Sequence, residues 1–322
     1  MGSSDLILLE TEKGTHEFAR EEIFSVFHRK LHYNVVEKDL NIFITKDIEN
    51  LESLAFTKRA GLILGDVDEL GEISKIKLRQ GKFFVRVIDS GKCHGTEDEG
   101  EIGNLLGGMG KISFSDPDFV ILAYHLDRWY IVEQIYNRNN VEKAKRKAPL
   151  RPFFSPVSMD PMYASFLVNM GYFPSGSILL DPFCGGGGIL MEAGIKGYRV
   201  FGVDIINEMA VGARMNLKYF GIRDYEIARA DFLNLQFQEK FDGIVTDFPY
   251  GRNSHISMER EEFYTKSAEK MHSILKDNAR ACIVTDNTNN LRYFENYFNI
   301  DVVLQQKVHK SLTRNFTRLI RR

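Results

Sequence analysis

The sequence predicts an α/β fold, a doubly wound and mostly parallel sheet in the C-terminal half preceded by a smaller α+β unit. Three observations predict it. The apolar run Ile178-Leu179-Leu180 ends in Asp181, passes into the glycine-rich turn Pro182-Phe183-Cys184-Gly185-Gly186-Gly187-Gly188, and opens a helical pattern at Ile189. Strand, tight loop and helix in that order form the first βα unit of such a sheet. Two later apolar stretches, 198–203 and 241–246, also run into carboxylates, Asp204 and Asp247. Before residue 70, strand and helix patterns alternate in the order βαββαβ, the ferredoxin-like arrangement.

The N-terminal elements follow from periodicity. Residues 5–10 read as a strand, and residues 14–31 as an amphipathic helix with Phe18, Ile23, Phe24 and Phe27 on or near one face. Short strands are expected at 33–36 and 40–44, a second helix capped by Asp47, and a strand at 60–67. The aromatic residues fall at helical or strand spacing and read as core. A strand at 83–87, a helix at 95–106, Ile112-Ser113-Phe114 before Asp116-Pro117, and strands at 119–126 and 129–135 around Asp127-Arg128 complete this half.

Residues 137–150 have almost no apolar periodicity and carry Lys143, Lys145, Arg146 and Lys147, with Arg151 next to them. This stretch reads as a flexible interdomain linker whose cations follow a phosphate backbone. The loop Arg151-Pro152-Phe153-Phe154-Ser155-Pro156-Val157-Ser158-Met159-Asp160 then leads to a helix starting at Pro161 or just after it. Beyond the glycine loop, helices are expected at 209–220 and 259–275, a strand with its end at 225–232, a strand at 279–285, and a closing hairpin at 302–309 and 316–320. A second basic group, Lys307, Lys310, Arg314, Arg318, Arg321 and Arg322, reads as a solvated face or tail.

Composition narrows the classes. The 322 residues fit two domains, with room for a small third. A net charge of −2 excludes a uniformly basic surface and leaves local patches open. No apolar run approaches about 18 residues, so no transmembrane helix is expected. Residues 1–5 lack the basic and apolar segments of a secretory signal. Cys93, Cys184 and Cys282 are odd in number and far apart, against a disulfide framework or zinc site and in keeping with a reducing, cytoplasmic compartment. The histidines show no metal-ligand spacing, and no metal is expected.

The glycine loop lets the backbone approach a ligand closely. Its spacing is not G-x-G-x-x-G and no Walker lysine follows, so the ligand need not be a dinucleotide. Asp181 at the strand end suits an amine or a backbone donor. Asp204 falls about 20 residues after the loop, where an acidic residue reaches ribose hydroxyls in such folds. Helix N-capping is the competing reading for Asp204 and for Asp231.

Asp181-Pro182-Phe183-Cys184-Gly185-Gly186-Gly187-Gly188, the ribose-type Asp204 and the tetrad Asp247-Phe248-Pro249-Tyr250 together resemble S-adenosylmethionine-dependent amino methyltransferases. Residues 81–136 resemble a THUMP domain, a module of RNA-modifying enzymes. With Arg151-Pro152-Phe153-Phe154, Ser158-Met159-Asp160-Pro161 and Val308-His309-Lys310-Ser311-Leu312-Thr313-Arg314, the chain is similar over nearly its whole length to archaeal tRNA guanosine-N2 methyltransferases. That resemblance implies a ferredoxin-like plus THUMP RNA-docking unit (1–136), a basic linker (137–150) and a Rossmann-like methyltransferase domain (151–322), the last with seven strands, one antiparallel. It further implies S-adenosylmethionine bound by Asp181, Phe183, Cys184, Gly185, Gly187, Asp204, Ile205, Asp231 and Phe232, with Cys184 a small loop residue rather than a nucleophile. Asp247, Phe248, Pro249 and Tyr250 would act on the base, Lys143, Lys145, Arg146, Lys147 and Arg151 would contact tRNA, and the enzyme would act as a monomer on guanosine 10.

An exocyclic guanine amine is a poor nucleophile because its lone pair is delocalised into the ring. Asp247 and the backbone carbonyl of Phe248 can accept its two N–H bonds, Pro249 stiffens the turn, and Tyr250 can stack on the base. Phe248 stands where the family usually has proline. Since the scheme needs only its carbonyl, Phe248→Pro is expected to retain activity. The alternatives are an RNA-binding protein with an inactive methyltransferase domain and N2 methylation of another tRNA or rRNA guanosine.

Overall fold

The computed structural model describes residues 6–46, 51–88, 96–107, 110–249, 258–310 and 312–322. The chain divides into two compact units, Met1–Arg138 and Asn139–Arg322.

The first unit holds β1 (Ile7–Thr11), α1 (His16–Ile23), β2 (Val36–Asp39), β3 (Ile42–Thr45), β4 (Thr57–Val67), β5 (Lys82–Ile88), α2 (Thr96–Leu106), β6 (Lys111–Ile112), β7 (Phe119–His125) and β8 (Trp129–Asn137). They form one eight-stranded sheet, order β2-β3-β1-β4-β8-β7-β5-β6. Its first four strands have the ferredoxin-like order, with β1 antiparallel to both β3 and β4. Ile7 and Leu9 of β1 meet Ile23 and Phe27 in one core, and Phe83, Val85 and Ile131 meet Ile102 of α2 in another. Three expectations need correction. The strand expected at 33–36 lies instead at Val36–Asp39, where it pairs with β3. The first helix changes to a π-helical turn over Phe24–Lys30. The second helix is, among the described residues, a single 3-10 turn at Leu51–Ser53; its proposed cap, Asp47, lies outside them. Buried Glu22 instead accepts from the Ala55 and Phe56 N–H groups at 2.7 and 3.0 Å, which anchors the entry to β4 without a helix.

The second unit opens with α3 (Asn140–Lys145), inside the stretch read as a flexible linker. The Asn139 side chain caps it by accepting from Val141 and Glu142 N–H. None of its residues is buried, so it has no apolar face for a periodicity search to find. Then come α4 (Pro161–Met170), β9 (Ile178–Asp181), α5 (Gly188–Ile195), β10 (Arg199–Asp204), α6 (Asn207–Tyr219), β11 (Tyr225–Arg229), β12 (Phe241–Asp247), α7 (Arg260–Ile274), β13 (Leu275–Thr285), β14 (Phe298–His309) and β15 (Leu312–Arg321). As expected, α4 starts at Pro161; Asp160, not singled out in the sequence, caps it through Met162 N–H (2.9 Å).

These strands form a seven-stranded sheet, order β11-β10-β9-β12-β13-β15-β14. β15 is antiparallel to both neighbours; the other pairings from β11 to β13 are parallel. Chain order reverses between β9 and β12, the switch point at whose carboxyl ends such sheets bind ligands. Asp181, Asp204 and Asp247 each end a strand there.

The second basic group is not a tail. Arg318 is wholly buried in β15, donating to Asp301 Oδ2 (2.6 Å) and to the Met170 carbonyl (2.8 Å), and so ties the hairpin to α4. Arg318→Ala strands a carboxylate and a helix-end carbonyl. It should cost about 3 kcal/mol in urea unfolding.

Candidate active site

A cavity of about 600 Å³ opens at the carboxyl ends of β9, β10 and β12. The glycine loop forms one wall. Residues 155–159, Ile205, Phe232, Met258 and the β14–β15 hairpin close the rest.

Asp181 is almost completely enclosed (1% exposed). Its Oδ1 accepts from the Thr246 hydroxyl (2.6 Å) and from Phe183 N–H (3.1 Å). Burial pushes its carboxyl up to about 7; the two donors pull the other way, and Asp204 and Asp247 add repulsion. Thr246 directly precedes Asp247, so this bond also links β9 to the residue that ends β12. Sequence reading missed Thr246, since only the register of the two strands brings it there.

The loop is held from both sides. Gly185 (φ 50°) donates to Asp204 Oδ2 at 2.8 Å. Gly187 (φ 77°) precedes α5, and a Cβ there would press on Ala213 at 3.1 Å. Cys184 is buried, which pushes its thiol up and keeps it inert, and its sulfur would stand 3.0 Å from a Cβ on Gly202. Phe153 exchanges two backbone hydrogen bonds with the buried Asn216 side chain, which also donates to the Gly186 carbonyl (2.9 Å). The Arg-Pro-Phe-Phe segment is therefore a brace for the glycine loop.

Asp204 and Asp231 each hold a turn and do not cap a helix: α6 starts after Ile206 without a side-chain cap, and no helix lies between β11 and β12. Asp204 Oδ1 accepts from Ile206 N–H (2.9 Å). Asp231 accepts from Leu233 N–H (3.0 Å) and Asn234 Nδ2 (2.7 Å). Both also line the cavity, and a carboxylate has lone pairs for further donors. Exposed Ile205 and buried Phe232 offer apolar surface between them, and Phe183 packs edge-on against Phe232 at 5.6 Å.

Asp247 and Pro249 line the same cavity, and Tyr250 lies outside the described residues. Phe248 corrects the expectation that only its carbonyl matters. Its N–H donates to the Val284 carbonyl (2.9 Å). Its ring, 1% exposed, stacks on Tyr264 at 5.0 Å and meets Phe183 (5.0 Å) and Phe294 (5.6 Å).

Two members of the expected RNA-contacting cluster point inward. Arg151 is buried: its Nε donates to the Arg146 carbonyl (2.7 Å), and its guanidinium sits against Gly188 at the start of α5. Burial lowers the Arg151 pKa, and Glu192 opposes that shift. Arg146 pairs with Glu192 (3.4 Å), which is buried in α5. Burial raises the Glu192 carboxyl pKa, and Arg146 draws it back. Arg146 and Arg151 are therefore turned toward α5, while Lys145 and Lys147 are exposed and Lys143 is half-buried. Among the described residues no group of three His, Cys, Asp or Glu side chains is placed to hold a metal, and no helix is long and apolar enough to cross a membrane.

The RMKL-like methyltransferase domain family model matches residues 149–315. A tRNA (guanine(10)-N2)-dimethyltransferase of Pyrococcus abyssi is 31% identical over 298 residues, covering 88% of this chain and 90% of that one. The chain belongs to the tRNA guanine-10 N2-methyltransferase family. Another relative so named, from Methanothermobacter thermautotrophicus, is 41% identical over 166 residues, 51% of this chain and 49% of its own. Among solved structures, TrmN from Thermus thermophilus matches in fold with a TM-score of 0.59 at 17% identity, covering 98% of this chain and 100% of that one. A possible methylase from Clostridium difficile 630 matches at 0.54 and 16%, with 99% and 98% covered. In this family's setting, the departure at Phe248 carries a structural cost if reversed. Phe248→Pro removes the bond to Val284 and empties a packed aromatic site. It should lose about 3 kcal/mol in thermal or urea unfolding. A variant as stable as the parent would show that proline can take over the anchor.

Proposed function

We infer that the protein uses S-adenosylmethionine to methylate the exocyclic N2 amine of a guanosine in tRNA, at position 10. The observation that carries this reading is the placement of Asp247, at a strand end, in one cavity with the glycine loop and Asp204. The cavity suits the cofactor in three respects. Asp181 is a buried acceptor for a cationic amine, Asp204 and Asp231 keep acceptor capacity for ribose and adenine donors, and Ile205 and Phe232 offer apolar surface to a ring. When bound, the cofactor supplies an electrophilic methyl group on a sulfonium.

The chain's own residues act on the amine. The Asp247 carboxylate accepts one N–H bond and the Phe248 carbonyl accepts the other. Two acceptors draw the lone pair out of conjugation and balance the positive charge that develops on nitrogen. Pro249 and the buried Phe248 ring hold the turn in place. Tyr250 stacks on the base. In this reading the Met1–Arg138 unit, whose residues 81–136 are THUMP-like in sequence, docks the RNA, and exposed Lys145 and Lys147 contact phosphates, adding salt-dependent affinity. The protein works as a cytoplasmic monomer without a metal.

Nucleoside mass spectrometry of tRNA incubated with enzyme and labelled cofactor tests the reading. N2-methylated or N2-dimethylated guanosine at position 10 is expected, and label on adenosine or on no nucleoside would sink it. Asp247→Asn should lower the single-turnover rate about 10²–10³-fold with cofactor affinity retained. An unimpaired variant would remove Asp247 from the chemistry.

Asp181 gives a pH signature. A carboxyl at about 7 is roughly half protonated in the free protein at neutral pH. A cationic amine beside it favours the ionised form, so cofactor binding should release a proton and tighten as pH rises from about 6 to about 8. Calorimetry in buffers of different ionisation enthalpy reads that proton, and Asp181→Asn should abolish both effects. The same elevated value makes the free fold lose stability from this group as pH climbs from the unfolded carboxylate range, 3.8, toward 7.

A further inference from the structure

Arg314 has no part in the mechanism above, yet it reaches the cavity. Asp247 in β12 pairs with Val284 of β13, and Val284 pairs with Phe316 of β15. Two residues along β15 from Phe316, and so on the same side of the sheet, Arg314 lies past the end of β13. Its Nη2 stands 3.5 Å from Asp247 Oδ2. Both side chains are largely buried, 10% and 18% exposed, so the pair is poorly screened by solvent.

The charges around Asp247 explain why a cation is needed there. Asp181 of β9 repels it, and Tyr264 of α7 interacts with it while itself facing Asp286 and Arg260. His309 of β14 lines the same cavity. Asp181 and Asp247 are like charges in a confined space, so a cation beside Asp247 offsets their repulsion. A protonated oxygen is a donor and cannot accept an amine N–H.

Resting on the reading of Asp247 as the amine acceptor, we propose that Arg314 is its positioning residue. The guanidinium occupies one side of the carboxylate, fixes its rotamer and keeps it ionised. Arg314 touches neither base nor cofactor in this role and acts only through Asp247. It also gives the C-terminal Val-His-Lys-Ser-Leu-Thr-Arg segment a function: the hairpin turn delivers one arginine to the reacting strand end.

The test compares wild type, Arg314→Gln and Arg314→Lys with tRNA and saturating cofactor across pH, so that the titration of Asp181 does not enter. Arg314→Gln should lower turnover on the order of tenfold or more. It should move the acid limb of the rate profile up by roughly 1–3 pH units, leaving cofactor affinity unchanged. Arg314→Lys, which retains the charge but not the planar fork, should return the limb toward wild type while regaining only part of the rate. An unchanged acid limb in Arg314→Gln overturns the proposal, whatever happens to the rate. A second readout needs no turnover: carbon-13 titration of aspartate carboxyls in the free protein, with Asp247 assigned from Asp247→Asn. Its midpoint should rise in Arg314→Gln and, if that variant does not fold, by a smaller amount in Arg314→Lys. A midpoint that stays put in the folded variant overturns the proposal. Wild-type protein that does not methylate tRNA would defeat the functional reading instead, and the titration still decides the ion pair.

Discussion

Four carboxylates, Asp181, Asp204, Asp231 and Asp247, share the rim and floor of one cavity, and most of the local architecture answers the repulsion this creates. Each is met by different donors. Asp181 has a threonine hydroxyl and a backbone N–H. Asp204 has two backbone N–H groups, one from the glycine loop and one from the approach to α6. Asp231 holds its own turn, and Asp247 faces an arginine from the far hairpin. Concentrating negative charge is costly in a folded protein. It suits a site for a sulfonium and an amine that gains positive charge during reaction.

The donors also do mechanical work. Because Asp204 grips Gly185 and Asn216 grips both Gly186 and Phe153, the glycine loop is fastened by side chains from β10 and α6. The loop can then afford its positive φ values without becoming loose. Behind it, Arg146 and Glu192 form an ion pair against α5 with Arg151 beside it, so the start of that helix is set by electrostatics as well as by packing.

Much of this was legible in the sequence because it is local. Strand-end carboxylates, the glycine loop and the helix start near Pro161 follow from short-range rules, while the closing hairpin was legible through family resemblance. What escaped was non-local. Arg318 reads as one charge in a basic tail, and only the return of β15 against Asp301 and the Met170 carbonyl shows it buried. Arg151 sits in a run of cations, but α5 supplies the Glu192 charge that faces it. Thr246 reads as an ordinary strand residue until strand pairing sets it beside Asp181. In α3 the polar sequence hides a helix that is held by its cap.

Phe248 shows how a constraint can change owner. A proline at this position would carry its rigidity within its own ring. Here the stiffness is lent by Tyr264, Phe294 and Phe183, each from a different part of the chain. The turn at Asp247-Phe248-Pro249 thus leans on α7 and beyond it, and drift at Tyr264 or Phe294 reaches the cavity lining from outside it. Lineages that keep phenylalanine here should accept fewer exchanges at 264 and 294 than lineages with proline, and a swap at one of the three should tend to bring a second with it.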